Sequence, residues 1–295
     1  MPYWKHYHKA FSIDDAIRVL VNAPGPARLL AGGTDFLLDL QQGRHPPVDT
    51  LVDISSIPEL LIIEKRSGSL FIGAAVTLSK ILRSILVCEH AQALTEACAL
   101  IGGPQVRNSA TLGGNVAHAL PAADGTIALF ALGAEAEIAD QNNFRTVPIN
   151  KLFVGPGRSS LHSQRELLVG FYLPLNKERM ASSFKRIMRP QGVALPIINL
   201  AVWIHRMNAP ALGDKIADIR IAVGPGGPVP TRASETENFL RGKAMTEKEI
   251  ANALKTLFVD VRLRTSPYRA TSIYRQRLAK VLFRDVIHSA WKRTF

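Results

Sequence analysis

Thiols are scarce in this chain. Cys88 and Cys98 are the two cysteines among 295 residues, and no C-x-x-C pair or Cys/His cluster accompanies them. A zinc or iron-sulfur site needs several such ligands, so none is expected within the chain, and both cysteines are expected as small buried apolar residues. His6 and His8 alternate on an extended segment without a third ligand nearby, which favours a surface strand over a metal site. Long apolar runs are missing too. The longest, residues 193–204, contains Pro196 and Asn199 and is far short of a membrane span. The N-terminal stretch MPYWKHYHKAFSIDDAI has neither the apolar core nor the small-residue cleavage site of a secretory signal, so a cytoplasmic location is expected. Neither G-x-G-x-x-G nor G-x-x-x-x-G-K-[ST] occurs, which disfavours a dinucleotide held in the Rossmann manner and a P-loop nucleotide.

What the chain has in excess is positive charge, and only in one half. Residues 1–150 hold 11 Lys and Arg against 14 Asp and Glu, while residues 151–295 hold 25 against 10, giving +12 overall. In the densest part Arg277, Lys280 and Arg284 recur at helical spacing opposite Leu278, Val281, Leu282 and Val286, as on a solvated helix face. No aromatic RNA-binding motif, zinc finger or clear helix-turn-helix pattern accompanies the charge. Nucleic-acid binding therefore ranks below docking to an acidic protein surface.

Two glycine-rich turns carry the functional reading. Residues 105–124, QVRNSATLGGNVAHALPAAD, combine a Thr-x-Gly-Gly-Asn turn with small residues and one carboxylate, Asp124. About 80 residues earlier, Gly32 and Gly33 follow a short apolar run, with Thr34 placed to cap a helical turn and a strand-like run at residues 50–54. Glycines let backbone N–H groups approach a bound anion, and Thr111 and Asn115 add short polar arms. Either pair alone is most simply a turn. Together they suggest cradles for a ligand with two phosphates.

In chain order, Ser12 and Asp15 resemble a capping box opening a first helix. A hairpin is expected at residues 60–64 and 70–74, after a change of pattern near residues 57–59, then a short helix capped by Thr77 and a longer one over residues 89–101. The glycine-rich stretch reads as a central loop. Beyond it come a buried helix over residues 125–132 and strands over 134–139, 144–149 and 166–173. Three more strands at 183–188, 194–205 and 217–223 precede the GPGGPVPT break and a helical C-terminus.

With these segments placed, the sequence resembles the FAD-binding medium subunit of the molybdenum hydroxylases, the xanthine dehydrogenase and carbon monoxide dehydrogenase family. The resemblance spans essentially the whole chain. Its carriers are LLAGGTDFLL (29–38), LVDIS (51–55), IGAAVTLSKI (72–81), GGPQVRNSATLGGN (102–115), PAAD (121–124), ELLVGFYLP (166–174), FKRIMRP (184–190) and RTSPYRATSIYRQRL (264–278).

The resemblance implies an α+β, vanillyl-alcohol-oxidase-like FAD-binding fold of two subdomains, residues 1–57 and 58–177. It also implies a C-terminal domain, residues 178–295, of a three-stranded antiparallel sheet and a helix bundle. Leu30, Ala31, Gly32, Gly33, Thr34 and Asp35 would wrap the FAD pyrophosphate. Thr111, Gly113, Gly114 and Asn115 would hold phosphate and ribityl oxygens, and Asp124 would accept from ribityl or ribose hydroxyls. Leu168 would pack beside the nucleotide, Ile101 would stand where relatives place an aromatic near the adenine, and Lys185 would lie by the flavin ring or face outward. Leu120 departs from the Ser or Asp that relatives often carry before the proline. By the same resemblance, molybdopterin and [2Fe-2S] clusters belong to partner subunits, a large and a small one, and this chain would pass electrons through FAD to NAD or another acceptor. The alternatives are a self-sufficient flavin oxidoreductase and a non-catalytic basic docking or nucleic-acid-binding protein.

Overall fold

The computed structural model describes residues 2–189, 195–207, 214–267 and 269–295. Its N-terminal layer is a three-stranded parallel sheet of β1 (His6–Lys9), β2 (Ala27–Leu30) and β3 (Thr50–Asp53), with β3 in the middle. Helix α1 (Ile13–Asn22) connects β1 to β2. Ser12 caps it by accepting from the Asp15 amide at 3.1 Å, and Ala16, Ile17 and Leu20 turn inward. The turn after β2 leads into α2 (Phe36–Gln41).

A second, antiparallel sheet has the order β4-β5-β10-β6-β7, from β4 (Ile63–Arg66), β5 (Ser69–Gly73), β6 (Glu135–Ala139), β7 (Phe144–Pro148) and β10 (Leu167–Pro174). The small hairpin β8 (Phe153–Gly155) and β9 (Arg158–Ser159) lies between β7 and β10. The first strand of the expected hairpin begins at Ile63 because Pro58–Leu61 forms a 3₁₀ turn that packs on Gly73. A Cβ at Gly73 would lie 2.3 Å from the Leu60 carbonyl oxygen.

Short helices fill the space between β5 and β6: α3 (Leu78–Arg83), α4 (Ile85–His90), α5 (Gln92–Leu100), α6 (Pro104–Ser109), α7 (Leu112–Ala117) and α8 (Asp124–Leu132). The helix expected over residues 89–101 is divided at Ala91, where the backbone leaves the helical region. The Ala93 amide donates to Ser182 Oγ at 3.0 Å, so a side chain from a distant strand supplies the new helix start. The expected central loop is also largely helical. Pro104 opens α6, and Thr111 caps α7.

The C-terminal part is an antiparallel sheet of β11 (Met180–Ile187), β12 (Ile198–Met207) and β13 (Lys215–Gly224), extended by the two-residue β14 (Thr231–Arg232). The three long strands match the expectation, and the fourth falls where the GPGGPVPT run ends. Ala194, the expected first residue of the middle strand, lies outside the described residues, as do Pro190 and Tyr268 of the family motifs. Helices α9 (Ser234–Leu240), α10 (Glu247–Asp260) and α11 (Ser272–Lys292) follow.

Strand β12 explains its own apolar run. Ile198, Leu200, Val202 and Ile204 pack with the C-terminal helices, while Ala201 and Trp203 join the core around α5 and α8. A strand buried on both faces needs no polar alternation. The same burial joins the two parts of the chain, because α8 lies wholly inside, against β12 and β13.

Candidate functional site

The two glycine turns meet. A Cβ built on Gly32 would lie 2.1 Å from the Ser109 carbonyl oxygen and 2.9 Å from Ala110 Cα, so the first turn is seated directly on the backbone that enters α7. Gly33 adopts the left-handed conformation at φ 68°, which lets the chain turn from β2 into α2. Both turns open onto one cleft of about 770 Å³, a size within the roughly 300–1,000 Å³ of ligand sites. Leu30, Ala31, Gly32, Gly33, Thr34, Asp35, Ile101, Thr111, Gly114, Asn115 and Asp124 all line it.

The turns are not equivalent. The amides of Gly32, Gly33, Thr34 and Asp35 make no hydrogen bond among the described residues. Four neighbouring free donors form a concave nest for an anion. At the second turn the amides are used: Leu112 donates to Val76 O, Gly113 to Ala74 O, Gly114 to Thr111 Oγ1 and Asn115 to Thr111 O. The expectation of two backbone cradles is therefore corrected to one. The second turn presents a smooth, close-packed floor because its donors are spent on capping α7 and tying it to β5.

Three expected contacts lie elsewhere. Gly113 faces Ala74, where a Cβ would come within 2.6 Å, so its missing side chain serves packing. Leu168 is buried in the core and does not line the cleft. Lys185 does not line it either; Arg186 does. Successive strand residues point to opposite faces, and Phe184 and Arg186 share the inward one. That period of two was readable in FKRIMRP and points one residue past the lysine.

Arg186 forms a buried ion pair with Asp124 and also donates to the Leu100 carbonyl. Asn199 Nδ2 donates to Asp124 at 2.6 Å and to Ala122 O at 3.0 Å. Burial pushes the Asp124 carboxyl up, against Arg186 and Asn199, which favour the carboxylate. Asp124 thus arrives at the cleft with two protein partners already in place. Asn115 is fixed as well, its Oδ1 accepting from the Thr126 amide at 3.2 Å, which leaves its NH₂ as the donor available to a ligand. Asn199 gave itself away in sequence only as a polar interruption of an apolar run.

Residues 3–176 match the model of the FAD binding domain in molybdopterin dehydrogenase, and residues 182–290 that of the CO dehydrogenase flavoprotein C-terminal domain. The chain belongs to the flavin subunits of the molybdenum hydroxylases. The xanthine dehydrogenase FAD-binding subunit of Escherichia coli is 33% identical over 287 residues, covering 96% of this chain and 95% of that one. The carbon monoxide dehydrogenase medium chain of Hydrogenophaga pseudoflava is 29% identical over 287 residues, with 97% of each chain covered. Among solved structures, carbon monoxide dehydrogenase of Hydrogenophaga pseudoflava superposes with a TM-score of 0.91 at 28% identity over 99% of both chains. Quinoline 2-oxidoreductase of Pseudomonas putida gives 0.88 at 27%, over 99% of this chain and 98% of that one.

This flavin subunit accordingly has the α+β FAD-binding fold of its family, is part of an oxidoreductase, and takes FAD as its cofactor. The residues fit that group. The amide nest at Gly32–Asp35 answers a pyrophosphate, Ile101 and Leu120 supply apolar walls, and Arg186 Nε is a buried donor without a partner beside the cleft. No group of three or more His, Cys, Asp or Glu side chains among the described residues is placed to hold a metal, and no helix there is long and apolar enough to cross a membrane.

Proposed function

We propose that this flavin subunit is the electron exit of a cytoplasmic, three-subunit molybdenum hydroxylase. It receives electrons from [2Fe-2S] clusters of a small subunit, which draws them from molybdopterin in a large subunit, and delivers them to NAD or another acceptor. FAD, when bound, supplies the means to accept electrons singly and release them in pairs. The observation that carries the reading is the seating of Gly32 on Ser109 and Ala110, which brings the free-amide nest and the α7 turn onto one cleft.

Each wall then has a task. The amides of Gly32, Gly33, Thr34 and Asp35 hold the pyrophosphate as neutral donors, fixed before the cofactor arrives. Asn115, held at its oxygen by Thr126, offers its NH₂ to a ribityl hydroxyl, and Thr111 and Gly114 shape the floor below. Asp124 accepts from a ribityl or ribose hydroxyl while Arg186 and Asn199 keep its carboxylate oriented. Ile101 and Leu78 exclude water from an apolar face of the cleft. Residues 1–177 form the FAD-binding domain, with subdomains 1–57 and 58–177, and residues 178–295 close the cleft from the other side; the break between the family matches at residues 176 and 182 supports this division. The basic face of α11, with Arg277 and Lys280 exposed, offers a docking surface for a partner subunit.

The test is co-expression with a [2Fe-2S] small subunit and a molybdopterin-binding large subunit from the same organism. The expected result is a yellow ternary complex from which denaturation releases FAD, and in which anaerobic substrate bleaches the flavin only when the [2Fe-2S] subunit is present. A colourless protein, or flavin reduction by substrate with this chain alone, would overturn the assignment.

A further inference from the structure

All the lysine and arginine charge of the cleft comes from the C-terminal part of the chain. Among the described residues that lining is Arg186, Arg264, Arg269 and Arg275, whereas the N-terminal wall offers neutral amides, His118 and the carboxylates of Asp35 and Asp124. Bound FAD brings a pyrophosphate into this setting. The amide nest gives it donors but no full charge, and Arg186 is already answered by Asp124.

The other three arginines stand on the segment between α10 and α11 and on the first turns of α11. Arg264 is exposed, Arg269 half-buried and Arg275 only 1% exposed. None of their side chains makes an ion pair or hydrogen bond among the described residues, and Nε and Nη1 of Arg275 are buried donors without partners. Other inward arginines are treated differently: Arg206 has Asp214, and Arg220 has the Leu132 carbonyl and the face of Trp203. Burial pushes the Arg275 guanidinium below its usual range, and repulsion from Arg269 and Arg264 pushes it the same way.

An arginine in that state destabilises the empty chain, and an apolar side chain of similar size would serve the fold better. The conflict ends when an anion enters the cleft. We propose that Arg275, flanked by Arg264 and Arg269, is a cofactor-holding residue that takes an anionic oxygen of bound FAD from the C-terminal side, at the expense of the stability of the empty chain. Two parts of FAD have that chemistry, the pyrophosphate in every oxidation state and the ring when reduced. Because α11 packs on β11 and β12, the contact fastens the C-terminal domain onto a cofactor gripped by the N-terminal one. The assignment rests on FAD as the cofactor and is independent of where the electrons go.

The test uses the full chain, loaded with FAD and stripped of it, and the variant Arg275→Met. Stripped, the variant should unfold at a higher temperature than the wild type. Its FAD dissociation constant, read from flavin fluorescence and the midpoint potential, should rise at least about tenfold in one or both oxidation states, the scale of one lost charge-assisted hydrogen bond. An arginine that only supports the fold would lower the unfolding temperature, so the opposite signs separate the two roles. Arg275→Lys, which keeps the charge, should recover part of the affinity and stay as unstable as the wild type when stripped. Equal loss in both oxidation states places the contact on the pyrophosphate; a lowered midpoint potential places it on the reduced ring. The double variant Arg264→Gln/Arg269→Gln, outside the core, should move both readings in the same directions by less. Lower stability of the stripped methionine variant, or unchanged affinity in both oxidation states, would overturn the proposal.

Discussion

Asp124, the first residue of α8, and Arg186, near the end of β11, meet as an ion pair whose side chains are 3% and 6% exposed, although 62 residues separate them. The pair joins the FAD-binding domain to the C-terminal sheet at the floor of the cleft. Removing one partner strands a buried charge. Asp124→Asn is therefore expected to cost about 3–5 kcal/mol of stability, while Asp124→Asn/Arg186→Met recovers part of that loss. Urea unfolding of the three proteins measures it, and additive losses would show that the pair is not coupled.

Gly32→Ala places a methyl group 2.1 Å from the Ser109 carbonyl oxygen, and backbone cannot rotate away as a side chain can. The two walls must separate. The expected result is near-complete loss of bound FAD, with a destabilisation of roughly 1–3 kcal/mol typical of overpacking. Gly155→Ala is the control: it lies outside the cleft, and the nearest atom its methyl would meet is in the Arg158 side chain, at 3.7 Å. Flavin-to-protein ratios of the two variants, measured side by side, decide the matter.

Thr111 is buried, and its hydroxyl oxygen accepts from the Gly114 amide at 3.0 Å. Thr111→Ala removes this cap and leaves that donor unpaired at the cleft floor. A loss of about 1 kcal/mol is expected, together with faster FAD release, whereas Thr111→Ser should retain both. Unchanged release rates in the alanine variant would remove α7 from the cofactor site.

The two thiols should behave differently toward a water-soluble thiol reagent. Cys88 is exposed. Cys98 is fully buried, and burial together with the nearby Asp124 carboxylate pushes its thiol far up, so no reactive thiolate is available. One equivalent of reagent should react with the folded protein and two after denaturation. Mass spectrometry of the labelled peptide should find Cys88 first; prompt labelling of Cys98 would mean that the core around α5 opens readily.

Much of this architecture follows from local pattern. The apolar run in residues 166–174, the apolar helix ending at Gly133 and the capping residues Ser12 and Thr77 each act through neighbours in sequence, so their positions were readable without the fold. The diglycine turns were readable for the same reason: a turn with φ 68° at Gly33 needs glycine wherever the chain goes next. The motif order also carried the family.

Other features depend on partners far along the chain. Whether the amides after Thr111 are free depends on Ala74 and Val76, which lie more than 30 residues away. The break at Ala91 depends on Ser182. On α11, local spacing correctly exposes Arg277 and Lys280 but wrongly turns Val281 inward, where it is exposed, and says nothing of Arg275, two residues before Arg277, which faces the cleft because the helix packs on β11 and β12. By itself the sequence determined most of the strands and several caps, which rest on short-range sterics and hydrogen bonding, and its motif order carried the family. Which glycine amides stay free, which of Lys185 and Arg186 reaches the site, and which arginines are left without a counter-charge were decided only when distant strands and helices packed together.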